Sequence, residues 1–234
     1  MVKKSDPDFD SKRLCFKIVS TYPGLAAAKI LESKGVAALG TALFCMEQAS
    51  LAGHMGCTYI SPYFNELRVH FDKEYVDILF LSFFFNLLLP NVLIFPLSFQ
   101  DQHKATSLCR DAAAYYSAHS QKTKVKAASF VSADEVMHHA GVDYITVFPP
   151  VIKELSETPV ANMPVEEVGK YMSSSPDETA WKGYEEAAAG GREVWEEKFN
   201  GSGGGENARK LREAIETFSG EQKKLEELVR KVAG

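Results

Sequence analysis

Residues 13–24 read RLCFKIVSTYPG, a stretch in which one lysine interrupts an apolar run that otherwise resembles a buried strand. Residues 14–19 are rich in strand-forming side chains, and the TYPG sequence after them indicates a turn. Burying an ammonium group costs free energy, so a lysine is rarely enclosed without a reason. Three interpretations of Lys17 follow: a charge without a role, a strand-end residue whose ammonium reaches water, or a catalytic amine.

Along the chain after this stretch, helix-like and strand-like segments alternate. Apolar helical spacing and end signals mark GLAAAKILESKG, MEQASLAGHMG, ATSLCRDAAAYYSAHS, SADEVMHHAG and PPVIKELSET as helices. The strand-like runs between them are 14–19, 36–43, 57–61, 124–130 and 143–148. Such alternation predicts an α/β fold of βαβ units, with a parallel sheet covered by helices.

The bulk composition excludes several classes of protein. The chain has 234 residues, enough for one sizeable domain or two small ones, and its net charge of -5 gives no footprint for nucleic acid. The cysteines form no C-x-x-C pair and predict buried thiols in a reduced, cytoplasmic setting, without a metal site. The polar N-terminus lacks the apolar core of a signal peptide.

The last seventy residues differ from the alternating part. GSGGG at 201–205 predicts a flexible linker or loop, and residues 206–234 predict a charged amphipathic helix, with a break at Gly220 left open. We interpret this helix as packed on a domain surface; a two-helix interaction tail is the alternative. Its apolar side consists of Leu211, Ile215, Phe218, Leu225, Leu228, Val229 and Val232.

Residues 78–99 form a run of 22 positions without a charge. Its length would suffice for a membrane span, but its prolines, asparagines and acidic flanks do not favour one. A span there would also separate strands of one sheet. Our preferred hypothesis is an aberrant insertion, such as translated intron sequence. A buried or oligomerising hairpin and a membrane span are the alternatives.

Three segments carry several ordered motifs: RLCFKIVSTYPGLAAAKILESKG, LGTALFCMEQASLAGHMGCTYISPYFNELRVHFD and KVKAASFVSADEVMHHAGVDYITVFPPVIKEL. Together these motifs resemble those of the transaldolases, most closely the fungal-type branch. The resemblance implies a (β/α)8 TIM barrel truncated at its N-terminus, in which the five strands are strands four to eight. It divides the chain into barrel strands four to six (1–77), the apolar insertion (78–101), barrel strands seven and eight (102–160) and C-terminal helices (161–234).

The resemblance also implies a chemistry. Transaldolases transfer a dihydroxyacetone unit between sugar phosphates through a lysine Schiff base, in the pentose phosphate pathway, without a metal or cofactor. The resemblance assigns the imine-forming amine to Lys17 and substrate contacts to Thr41, Ser61 and Ser129. Other origins remain open for the hydroxyls: strand propensity for Thr41 and a cap before Pro62 for Ser61. Burial of a strand lysine would favour its reactive, neutral form.

This chain departs from the family pattern. Leu39 replaces an asparagine, and Glu66 and Val131 stand where many relatives carry phosphate-binding arginines; Arg68 lies two residues from Glu66. The implied barrel would lack three strands and the acidic residues on them. We therefore expect a transferase of aldehyde or ketone groups with little or no activity. An aldolase of altered substrate range, a non-catalytic remnant or interaction protein and a membrane-associated protein are the alternatives, and a homodimer remains open.

Overall fold

A computed structural model of the chain describes residues 8–70, 100–159 and 165–233. In this part five strands form one sheet in the order β1-β2-β3-β4-β5, and every neighbouring pair is parallel. The strands are β1 (Cys15–Val19), β2 (Ala37–Leu43), β3 (Tyr59–Pro62), β4 (Lys124–Ala127) and β5 (Tyr144–Ile145).

Helices connect the strands and cover one face of the sheet. Alternate residues such as Ala38, Ile60 and Val125 are fully buried on the covered face. The helices are α1 (Tyr22–Ser33), α2 (Met46–His54), α3 (Gln100–Ala118), α4 (Ala133–His138), α5 (Pro149–Glu157), α6 (Lys170–Ser173), α7 (Trp181–Ala189), α8 (Arg192–Gly201) and α9 (Glu206–Ala233). Short 3-10 turns are Ser11–Arg13, Leu67–His70, Val165–Glu167 and Ser202–Gly205.

The TYPG sequence begins α1. The Thr21 hydroxyl caps the helix by accepting a hydrogen bond of 3.1 Å from the Gly24 amide, and Pro23 lies in the first helical turn. A Cβ on Gly24 would lie 2.3 Å from the carbonyl oxygen of Val19, so a side chain there would collide with β1. The predicted turn is therefore the tight junction that brings α1 back onto the sheet.

The prediction of an α/β fold with a parallel sheet covered by helices is confirmed. The last two strands are shorter than predicted. Ser129 adopts a left-handed conformation with φ of 69°, which ends β4, and the start of α5 at Pro149 limits β5. Closure into a TIM barrel and the fourfold division of the chain stay predictions, and residues 78–99 lie outside the described residues.

The structure decides two points about the tail that the sequence left open. Residues 202–205 form a tight 3-10 turn with Gly203 and Gly204 in left-handed conformations (φ 59° and 67°), a geometry that glycine adopts at little cost. α9 continues through Gly220, since one glycine in a helix costs only about 1 kcal/mol relative to alanine.

The two halves of α9 have different environments. Leu211 and Ala214 are buried against the body and Phe218 is partly buried, as expected for a helix packed on a domain surface. Leu225 and Leu228 are about 60% exposed, so the apolar side continues past the packed region. Among the described residues, no helix combines the length and the apolarity that crossing a membrane requires.

His139 is fully buried, whereas its neighbour His138 pairs with Glu167 at 2.9 Å on the surface. The Nδ1 atom of His139 lies 2.8 Å from the Glu135 carbonyl, which can only accept, so Nδ1 carries the proton. Nε2 has no hydrogen-bond partner among the described residues and faces aromatic rings. The rings are those of Phe64, Phe130 and Tyr171, with centroids at 4.8, 4.9 and 5.3 Å.

Acid should destabilise the protein through His139. Burial lowers the pKa of His139, so the unfolded chain binds a proton more readily than the folded one. We expect the free energy of unfolding to fall as the pH drops below the ordinary histidine value of about 6.5. The substitution His139→Phe should flatten this dependence in urea titrations between pH 7.5 and 5. The same change at exposed His54 is the control, and an unaltered pH slope in His139→Phe would contradict the assignment.

Candidate functional site

Lys17 is the third residue of β1, with Leu39 opposite it in the register. Its Nζ atom lies 5.8 Å from the centroid of the Tyr63 ring, a distance typical of a cation–π contact. Of the interpretations left open for Lys17, the described structure does not show an enclosed lysine. Its side chain is exposed because, among the described strands, β1 pairs on one side only.

Thr41 and Tyr63 form a buried pair beside Lys17. The Thr41 hydroxyl donates to the Tyr63 hydroxyl oxygen at 3.1 Å. Val19 pairs with Thr41 in the register, so Lys17 and Thr41 project from the same face of the sheet, opposite the helices. Lys17, Tyr63 and Thr41 thus bring an amine and two hydroxyls together. Tyr63 was missed in the sequence, although its position two residues after Ser61, directly beyond the end of β3, was a usable signal.

Ser61 is buried on β3, next to the strand that carries Thr41. Ile60 pairs with Gly40, and both lie on the helix-covered side, so Ser61 points to the opposite side with Thr41. The structure therefore brings three of the predicted site residues, Lys17, Thr41 and Ser61, to one face of three adjacent strands.

Ser129 lies in a different group of contacts. Its hydroxyl donates to the Asn65 carbonyl at 2.6 Å, and its oxygen lies 2.8 Å from Nε2 of His70. The single serine proton is used on the carbonyl, so His70 must donate through Nε2. The Asn65 amide in turn donates to the Ser129 carbonyl at 2.8 Å. Ser129 thus joins the segments that follow β3 and β4, and within the described part of the chain its side chain bonds to Asn65 and His70.

Gln48 is a further residue that sequence reasoning missed. It is fully buried on α2, where its Oε1 accepts from the Phe44 amide at 2.8 Å. Its Nε2 donates to the carbonyls of Ser20 and Ala42, both at 3.0 Å. Ala42 has φ of 50° at the point where the register of β2 and β3 shifts. Gln48 therefore holds the carboxyl ends of β1 and β2 together, just beyond Lys17 and Thr41.

Glu66, at one of the two positions where arginines were expected, has a counterion from the tail. Its carboxylate lies 3.2 Å from an Nη2 of Arg209 on α9 and has a side-chain exposure of only 7%. At the other position Val131 is 48% exposed. Arg68 lies 3.9 Å from Glu213 of α9. The cation at Glu66 thus comes from a helix 143 residues further along the chain, which no local motif could indicate.

The chain is similar to known transaldolases over most of its length. A sequence model of the transaldolase/fructose-6-phosphate aldolase family matches residues 3–229. The transaldolases of Shewanella loihica and Alteromonas mediterranea are 27% and 26% identical over 94% and 96% of this chain. The transaldolase of Actinobacillus pleuropneumoniae serotype 3 is 28% identical over 66% of this chain and 43% of its own length.

The match covers 59% of the Shewanella protein and 61% of the Alteromonas protein, so the chain spans about three fifths of the length of these relatives. The expected N-terminal truncation is not supported by these alignments, which run over nearly the whole chain. The matched region contains all five strands, the residues around Lys17 and most of the tail. This chain belongs to the transaldolase/fructose-6-phosphate aldolase family.

Proposed function

We propose that the chain carries out transaldolase-type transfer of a dihydroxyacetone unit from a ketose to an aldose through a Schiff base on Lys17. The reaction is the sugar-phosphate exchange of the pentose phosphate pathway. The observation that carries the proposal is the contact of the Lys17 amine with the Tyr63 ring, 5.8 Å away, next to the hydroxyl of Thr41. Membership of the family supports the same class of reaction.

The chemistry needs an amine and hydroxyl groups on one face. The neutral Lys17 amine attacks the ketone carbonyl, and loss of water leaves a protonated imine. Electrons of the breaking C3–C4 bond move into this imine, which gives an enamine and releases an aldehyde. The enamine then attacks the acceptor aldehyde, and water hydrolyses the new imine. Thr41 and Ser61 would bind substrate hydroxyls. Tyr63 accepts from Thr41, so its own proton is available to a substrate oxygen.

We infer that turnover is slow. Lys17 is exposed, and among the described residues no carboxylate forms an ion pair with it. A positioned acid–base partner contributes roughly 10²–10⁴-fold to proton-transfer steps. The five consecutive parallel strands support the further proposal that they are strands four to eight of a TIM barrel.

Trapping of the imine tests the proposal, because it isolates the first chemical step from turnover. We expect incubation with dihydroxyacetone and sodium borohydride to add the reduced three-carbon unit to the peptide that contains Lys17. Peptide mass mapping locates the adduct. Absence of an adduct, or its even spread over the surface lysines, would favour a non-catalytic interaction protein.

A further inference from the structure

Strand β2 contains a β-bulge beside the candidate site. The register of β2 and β3 shifts between Gly40 and Leu43, so that Thr41 and Ala42 together oppose the single residue Ser61. Ala42 has φ of 50°, a left-handed conformation that residues other than glycine rarely adopt. Such a conformation persists only where the surrounding structure stabilises it, so the residues around the bulge must hold it in place.

The bulge determines which side chains share the face of Lys17. In a regular strand Leu43 would project from the same face as Thr41, because it follows two residues later. Instead Leu43 pairs with Pro62, on the helix-covered side, and is fully buried in the core. On the Lys17 face the Tyr63 hydroxyl lies 3.1 Å from that of Thr41. The bulge thus keeps an apolar side chain away from the hydroxyl pair.

The side-chain amide of Gln48 supplies the hydrogen bonds that hold the bulge. Its Nε2 donates to the carbonyl of Ala42 and to that of Ser20, both at 3.0 Å. Its Oε1 accepts from the Phe44 amide at 2.8 Å and lies 3.6 Å from Sγ of Cys45. These contacts use both donors and both lone pairs of the amide. Removing the amide would leave buried backbone groups unpaired, which is unfavourable, so Gln48 stabilises the bulged strand.

We propose that Gln48 is a positioning residue for the hydroxyl pair of Thr41 and Tyr63. Its amide holds the left-handed backbone at Ala42, and the bulged strand in turn fixes the face on which the two hydroxyls meet. Gln48 itself is fully buried on α2 and acts only through the strand. The expected effect on substrate binding rests on the proposed function, whereas the expected effect on strand pairing does not.

Amide hydrogen exchange tests the effect on strand pairing without a substrate. Gln48→Met keeps the length of the side chain and removes its amide. The Tyr63 amide donates to the Leu43 carbonyl just beyond the bulge at 3.0 Å, and we expect its exchange to become about tenfold faster. The Lys124 amide, which donates to the Thr58 carbonyl at 3.0 Å, should exchange at its former rate. An unchanged rate at Tyr63, or the same increase at both amides, overturns the inference.

Trapping of the Lys17 adduct at increasing dihydroxyacetone concentration tests the effect on the site. Gln48→Met should raise the half-saturating concentration about tenfold and leave the maximal trapping rate unchanged, because the amine itself is intact. Adding Ala42→Gly should restore the affinity, since glycine adopts a φ of 50° readily. Gln121→Met is the control, because the Gln121 side-chain oxygen is buried beside Gly53 at the other end of α2. The inference fails if Gln48→Met and the control behave alike, or if Ala42→Gly restores nothing.

The two measurements separate this inference from the proposed function. If the natural chain forms no adduct on Lys17, the proposed function fails, and the exchange rates alone decide the inference. If Gln48→Met does not fold, Gln48→Glu takes its place with the same expected results. A carboxylate still accepts from the Phe44 amide but cannot donate to the two carbonyls.

Discussion

Replacing Lys17 by arginine should abolish the borohydride-trapped adduct completely, while the same change at Lys126 should leave its yield unchanged. A guanidinium keeps the positive charge of the lysine but does not form an imine under these conditions. Lys126 is the matched control, since it projects from the same sheet face and its Nζ lies 5.2 and 5.5 Å from the ring centroids of Tyr59 and Tyr144. The difference is that the Lys17 amine contacts Tyr63, whose hydroxyl is hydrogen-bonded to that of Thr41.

We expect the Lys17→Arg variant to fold normally. The side chain is exposed, and substitutions at such positions usually change the free energy of unfolding by less than about 0.5 kcal/mol. Urea unfolding of both variants checks this. If the adduct persists in Lys17→Arg and disappears in Lys126→Arg, the amine was assigned to the wrong strand. If both variants lose the adduct, the two lysines act through one shared site.

Trp195→Ala should lower the free energy of unfolding by about 3–5 kcal/mol, the usual cost of removing a large buried aromatic side chain. Trp195 is 2% exposed, stacks on Phe199 with centroids 4.9 Å apart, and meets the Tyr22 ring of α1 at 6.0 Å. Its indole donates to the Glu47 carbonyl on α2 at 2.8 Å. It thereby connects the tail to the helices that cover the sheet.

A smaller change, Trp195→Phe, removes the indole N–H that donates to the Glu47 carbonyl, and should also destabilise the protein. Trp181→Phe is its matched control. The indole nitrogen of Trp181 is buried without a hydrogen-bond partner among the described residues, so removing it should cost little or even stabilise the protein. Chemical denaturation followed by far-ultraviolet circular dichroism measures both changes. The prediction is contradicted if the tail unfolds in a separate, earlier transition and Trp195→Ala changes that transition only. Such a result would mean that the tail does not share the core of the sheet and would favour an independent interaction role for it.

Much of the sheet could be predicted because its signals are local. Apolar runs marked all five strands. The sequence also predicted Ser132 as a helix N-cap, and in the structure its hydroxyl accepts a hydrogen bond from the Glu135 amide. The ends of β4 and β5 and the order of residues 202–205 were not predictable in this way. A serine at positive φ and glycines in a tight turn depend on what surrounds them, and composition alone indicates only flexibility.

For the candidate site, too, local features could be predicted and contacts between distant residues could not. The local pattern predicted the strand that carries Lys17, and the family resemblance indicated that Glu66 and Val131 replace arginines. The contact of Tyr63 with both Lys17 and Thr41, the exposure of Lys17 and the pairing of Arg209 with Glu66, 143 residues away, are visible only in the folded chain. The reason is physical: strand patterns follow from neighbours two to four positions apart, whereas exposure and counterions depend on which distant elements pack together.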